Sequence, residues 1–199
     1  MESGGFMKVE QYVMAYRAEQ DRLRAILPVG FCSLRPVLRI NGEVRDGKTG
    51  YLELNTPVEK DGIRGWVNIG FWEDIPFTRE GKKVTFLNEL LEISFVGVGI
   101  EGGCPAEKDN AGCFFSGEAE SFRPAEVITS PKEFCDCKFR WLIPEGACGE
   151  SIGKTLPAFP EEVQTQYPRA TFTVLSAAVI PCQQVLGTYR VEFERSCPV

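Results

Sequence analysis

The sequence predicts a mainly β protein of the α+β class, antiparallel strands joined by tight turns, with one helix near its N-terminus. Three observations predict it. Apolar segments of strand length, rich in β-branched and aromatic residues, are punctuated along the whole chain by 20 glycines and 13 prolines. Asp46-Gly47 and Asp61-Gly62 each stand between two such segments, and Asp-Gly allows the tight reversal of an antiparallel hairpin. Only residues 18–27 carry a helical pattern.

Taken in order, residues 8–17 read as a strand anchored by Val9, Tyr12, Met14 and Tyr16. The helix of about three turns follows. Glu19 and Asp21 fall in its first turn, where the macrodipole favours them, Leu23, Ile26 and Leu27 form its buried face, and Pro28 with Gly30 stops it. Strands are expected over 36–44, 51–58 and 63–72, with turns at 45–50 and 59–62. In the second of these, Tyr51, Glu53 and Asn55 share one face and Leu52, Leu54 and Thr56 the other. Glu53 therefore faces either solvent or a polar cavity, solvent being the commoner place for a strand carboxylate. Arg79-Glu-Gly-Lys-Lys83 reads as a solvated hairpin turn ahead of a strand at 84–87.

Residues 92–108 carry the most chemistry. They begin as a strand through Ile93, Phe95, Val96, Val98 and Ile100 and turn glycine-rich at Gly97, Gly99, Gly102 and Gly103. They end in a charged cluster, Glu101, Glu107 and Lys108, beside Pro105. The plain reading is a buried strand leaving its sheet through a polar turn; the sharper one is a site. A turn at 109–112, a strand from Cys113, an irregular polar stretch over 117–133 and a strand over 134–143 ending at Pro144 come next. A loop over 146–160, a strand over 169–180, a turn region at 181–187 and a last strand over 188–194 complete a single domain, 1–199, without internal repeats.

Composition excludes several function classes. The net charge of −6, with no block of like charges, offers no footprint for nucleic acid and no polybasic membrane patch. No apolar run reaches the roughly 18 residues of a membrane-spanning helix. Residues 1–6 lack the basic start and apolar core of a signal peptide, so the expectation is a cytoplasmic protein. The chain has no histidine, which removes imidazole-based triads and imidazole metal ligands. Acid–base and nucleophilic work falls to carboxylates, lysine, tyrosine or cysteine. The eight cysteines include one C-x-C, Cys135 to Cys137, and no C-x₂-C, a spacing that argues for free thiols in the core over zinc.

The order of segments resembles the acetoacetate decarboxylase family. Tyr16-Arg17 followed by Asp21, Leu23-Arg24 and Pro28 is similar to that family's strand-to-helix entry, and Pro36-Val-Leu-Arg39 to its next strand. Gly50-Tyr51 with Glu53 matches a tyrosine-x-glutamate strand that carries one of the family's active-site glutamates. Asp61-Gly-Ile-Arg-Gly-Trp66 resembles the following hairpin, and Thr171 to Phe193 the C-terminal strand pair. The resemblance implies an antiparallel β-barrel with the helix packed on it, a homo-oligomer, a small keto acid as partner, no nucleic acid, no membrane and no cofactor.

It also implies a mechanism. Val98-Gly-Ile-Glu101 through Pro105 resembles the family's segment that runs into two lysines, the first forming a Schiff base with a ketone and the second lowering its pKa. This chain has Ala106-Glu107-Lys108 there instead, and a glutamate beside a lysine stabilises its ammonium form. Lys108 is the preferred imine former, with Lys82-Lys83 as the rival placement of the pair. Glu53 is the expected proton shuttle, Arg39 a carboxylate clamp, and Glu101 and Glu43 further substrate-binding groups, Glu43 because Asn41 stands where the family keeps an acid. The alternatives are a barrel that binds a small carboxylate or apolar ligand non-covalently, and a thiol or metal role for Cys104, Cys113, Cys135 and Cys137.

Overall fold

The computed structural model describes residues 5–104, 113–116, 119–122, 126–142, 180 and 182–197. Among them lie thirteen strands and one helix: β1 (Phe6–Arg17), α1 (Gln20–Ile26), β2 (Cys32–Ser33), β3 (Val37–Arg45), β4 (Thr49–Lys60), β5 (Ile63–Ile75), β6 (Phe77–Glu80), β7 (Lys83–Leu87), β8 (Leu91–Glu101), β9 (Cys113–Ser116), β10 (Ala119–Phe122), β11 (Glu126–Ile128), β12 (Glu133–Trp141) and β13 (Gln184–Ser196). The expected mainly β architecture with one N-terminal helix is the one observed. No helix among the described residues is long and apolar enough to cross a membrane.

The strands form one sheet in the order β10-β9-β5-β4-β3-β1-β13-β12-β8-β7-β6, with β11 on β13 and β2 on β4. Pairing is antiparallel except between β5 and β9. The two terminal strands meet in its middle, β1 beside β13 from Phe6↔Ser196 to Arg17↔Gln184. Among the described residues the ladder is an open path, so backbone pairing does not close it into the expected barrel.

The sheet nevertheless curls round a core. Tyr12, Met14 and Tyr16 of β1, Leu38 and Ile40 of β3, and Leu52 and Leu54 of β4 pack against Val84 and Phe86 of β7 and Ile93 and Phe95 of β8. Strands β3 and β7 are far apart along the ladder, yet a methyl at Gly42 would stand 2.7 Å from the Phe86 ring. Only the absent side chain allows that approach. Tyr12 meets Phe86 edge-on at 5.8 Å, a favourable aromatic geometry. Arg79 of β6 reaches Glu10 of β1 at 2.8 Å, and Trp72 of β5 donates to Glu89 at 3.1 Å, fastening the curled edges.

Local chemistry accounts for most boundaries. Leu23 and Ile26 of α1 and the following Leu27 are buried, with Asp21 in the first turn. Asp46, Gly47, Asp61 and Gly62 all take positive φ, between +50° and +80°, as tight hairpin turns require. Two expectations need correction. The stretch 117–133, read as irregular, contains β10 and β11, and the turn region 181–187 contains the start of β13. In β11, Val127 and Ile128 are exposed, and its hydrogen-bonded partner β13 lies more than 60 residues away in sequence, so no local pattern announces it. The expected turn at 109–112, loop at 146–160 and most of the strand at 169–180 lie outside the described residues.

Candidate active site

Strand periodicity builds the site. In β3 the even residues Leu38, Ile40 and Val44 point into the core, which sends Arg39, Asn41 and Glu43 to the other face. In β4 Leu52 and Leu54 do the same for Tyr51, Glu53 and Asn55. The antiparallel register sets these residues opposite one another as Arg39↔Asn55, Asn41↔Glu53 and Glu43↔Tyr51. Asn68 of β5 lies opposite Asn55, and Gln11 of β1 opposite Glu43. The result is a flat grid of polar side chains.

This second face is buried. Glu53 is 6% exposed, Arg39 4%, Glu43 1%, and Asn41 and Asn55 0%. The reading of Glu53 as a solvated carboxylate is therefore corrected in favour of an interior polar surface. An apolar cluster of Val13, Ala15, Val37, Trp66, Tyr189 and Cys104 borders it. Cys104 belongs to the glycine-rich exit from β8 and packs on Gly187 of β13, where a methyl would stand 3.1 Å from its Sγ. The segment that opens at Glu92 thus leads the chain onto the same face as Arg39.

Glu53 is the hub. It accepts hydrogen bonds from Asn41 Nδ2 at 2.7 Å, Tyr51 Oη at 2.8 Å and Asn68 Nδ2 at 3.4 Å. Burial, and then the charge of Glu53, push the Tyr51 phenol well above its ordinary pKa, so it stays a donor. The Arg45 guanidinium covers the Tyr51 ring at 3.8 Å, and that of Arg39 lies 5.2 Å from the Trp66 ring. On the amides and indole of this floor, Asn41 Oδ1, Asn55 Oδ1, Asn55 Nδ2 and Trp66 Nε1 have no hydrogen-bond partner among the described residues. Buried polar atoms are normally satisfied, so unsatisfied ones gathered on one surface call for an ordered water or a bound ligand there.

The remaining candidates are placed differently. Glu43 is gripped by Arg195 through two bonds of 2.9 and 2.7 Å, by Arg45 at 2.9 Å and by Gln11 at 3.4 Å. Arg195 also reaches Glu126 at 2.9 Å. Burial alone would lower the Arg195 pKa, but the hydrogen bonds and charges of Glu43 and Glu126 outweigh it and raise it. Glu101 is exposed at the end of β8, paired across the strands with Glu133 of β12. Lys82 and Lys83 are exposed at the β6–β7 turn. Lys108 lies outside the described residues.

Burial pushes the Cys135 and Cys137 thiols up to about 12, which keeps them protonated at neutral pH, the wrong form for a nucleophile or metal ligand. Asn55 and Trp66 were not among the sequence candidates. Their signal was faint but present: asparagine is depleted in strands, and Asn55 shares a face with Glu53.

No protein-family model and no curated protein sequence matches the chain. Solved structures do. An acetoacetate decarboxylase from Legionella pneumophila superposes with a TM-score of 0.65 at 12% identity, over 98% of this chain and 86% of its own. The enduracididine biosynthesis enzyme MppR, complexed with pyruvate, gives 0.59 at 11% identity over 98% and 89%. An acetoacetate decarboxylase-like enzyme from Sphingomonas wittichii RW1 gives 0.57 at 9% identity over 96% and 89%. At such identities the likeness is one of architecture, and the curled sheet described above has the acetoacetate decarboxylase-like fold.

Proposed function

We propose that this chain is an acetoacetate decarboxylase-like enzyme, a carbon–carbon lyase acting on a small β-keto or 2-oxo acid through an imine on Lys108. The observation that carries the reading is the buried polar floor, where Arg39 and Glu53 sit among amide groups with unfilled hydrogen bonds. Lys108 follows Cys104, which borders that floor, by four residues, a reach of at most about 14 Å of extended chain. That pyruvate is bound by MppR, which shares the fold, adds support for an oxo acid as ligand.

The chemistry follows from the groups. The Lys108 amine attacks the ketone carbon and water leaves, giving a protonated imine. In a β-keto acid the bond to the carboxylate then breaks, carbon dioxide departs, and the electron pair moves to the imine nitrogen, leaving an enamine. Glu53 moves the proton that converts enamine to imine, and water releases the ketone and restores the amine. A 2-oxo acid reaches the corresponding enamine by loss of a proton from its third carbon. Arg39, always charged, holds the carboxylate of the incoming acid. Glu107 favours the ammonium form of Lys108, so desolvation of the amine has to oppose it.

Borohydride reduction in the presence of acetoacetate or pyruvate should attach the acid-derived mass to the peptide containing Lys108. Absence of a label on any lysine at saturating acid rules out imine chemistry for these substrates. The replacement of the lysine pair by Ala106-Glu107-Lys108 favours a second reading, non-covalent binding of a small carboxylate or apolar ligand on the same floor. There, Lys108→Ala would leave ligand-induced thermal stabilisation unchanged. A closed barrel and a homo-oligomer accompany the first reading as expectations of the family; light scattering on the purified chain tests the assembly.

A further inference from the structure

The unfilled hydrogen bonds of the floor specify more than a keto acid. The Asn41 amide has its orientation fixed, since its Nδ2 donates to the Glu53 carboxylate, and its free atom is therefore the acceptor Oδ1. Asn55 presents one donor and one acceptor whichever way its amide is turned, and Trp66 Nε1 can only donate. All three residues have no exposure to solvent. The two amides and the indole thus ask for acceptors to meet two donors and for donors to meet two acceptors. An unsubstituted keto acid offers acceptor oxygens alone, at its carbonyl and its carboxylate. It would leave Asn41 Oδ1 and the acceptor of Asn55 unpaired. A hydroxyl donates one hydrogen bond, which meets one of these acceptors, and accepts from the Asn55 donor.

We propose that the substrate class is keto acids bearing a hydroxyl on the carbon chain, bound with that hydroxyl against Asn55 and Asn41. The inference rests on the keto-acid reading above and deepens it. The register supplies the spacing. Arg39 lies directly across from Asn55, and Asn41 is diagonal to it, so the carboxylate clamp and the amides are roughly 5 to 8 Å apart at the backbone. A short keto acid spans that distance with its carboxylate on Arg39 and its hydroxyl over the amides.

Calorimetric titration of the full chain with two matched pairs tests it: pyruvate against 3-hydroxypyruvate, and 2-oxobutanoate against 4-hydroxy-2-oxobutanoate. In at least one pair the hydroxylated acid should bind about tenfold tighter or more, because the plain acid leaves a buried partner unmet. Asn55→Leu, similar in shape and without the amide, should abolish that preference and leave the melting temperature of the ligand-free protein equal or higher. Equal affinities within both pairs for the unaltered chain, or a preference that persists in Asn55→Leu, overturn the inference; the first outcome is also what trapped water filling the amides would give. The comparison in the unaltered chain decides the matter even if the variant does not fold. Failure of all four acids to bind overturns the keto-acid reading as well, whereas lysine labelling by a plain acid combined with equal affinities overturns only the hydroxyl inference.

Discussion

At the scale of single residues, Glu53 is a buried carboxylate that draws on neutral donors. Asn41, Tyr51 and Asn68 each donate a hydrogen bond to it. Hydrogen bonds to a charged group stabilise more than neutral ones, so Tyr51→Phe should cost about 2 kcal/mol of folding stability, read as a lower urea midpoint at unchanged slope. Glu53→Gln isolates the proton-transfer role. It should slow deuterium exchange at the methyl of bound pyruvate by about 100-fold or more, measured by NMR, while borohydride labelling of Lys108 persists. Exchange at the original rate in that variant would remove Glu53 from the mechanism. The period of two placed Glu53 on one face of its strand with Tyr51 and Asn55, and the family resemblance singled out Arg39. Their burial was not readable, because the apolar residues that border this face come from parts of the chain remote in sequence, Cys104 and Tyr189 among them.

At the scale of elements, β12 carries a pH dependence. Cys135 and Cys137 lie two apart on one face of that strand, and burial lifts both thiols from 9.0 to about 12. The unfolded chain releases these protons first as the solution turns alkaline, so the folded state binds more protons and stability falls with rising pH. The contribution is fully present below pH 9 and is lost as pH climbs towards 12. Tyr12, Tyr16 and Tyr51 shift in the same direction, so they add to the slope at its upper end. Denaturation midpoints across this range should therefore decline, and less steeply for the double variant Cys135→Ala, Cys137→Ala. A slope unaltered by the double substitution would show that these thiols do not contribute. The alternation of β12 was legible; that its cysteines form part of the wall of the core was decided by strands β8 and β13 on either side.

At the scale of the whole molecule, the C-terminal strand is structural keystone and fastener together. β13 lies between β1 and β12 in the middle of the sheet, so the fold cannot form until the last residues of the chain find the first. Such non-local pairing predicts slow folding. Arg195 fastens that strand to β3 and β11 by bridging Glu43 and Glu126, and it is only 11% exposed. Arg195→Ala leaves the Glu43 carboxylate buried with much of its compensation gone. The loss should be about 3 kcal/mol or more, read by chemical denaturation. A loss within a few tenths of a kcal/mol would mean that Arg45 and Gln11 suffice.

The sequence by itself determined most of the strands, the hairpin turns, the helix, and the faces shared by Tyr51, Glu53 and Asn55 on one strand and by Asn41 and Glu43 on another. These follow from local rules, the period of two, the freedom of glycine and the dipole of a helix, which act over a few residues. Tertiary structure alone decided that the polar side of those strands faces inward, that Glu43 is taken up by Arg195, that Asn41, Tyr51 and Asn68 converge on Glu53, and that Asn55 and Trp66 are left with bonds to give. Each of these depends on which distant strand becomes a neighbour, and a side chain's surroundings, unlike its direction, are not encoded within its own segment. The stretch from Glu92 onward stands between the two: its strand and its glycines were legible, and its arrival beside Gly187 and the polar floor became visible only in the folded chain.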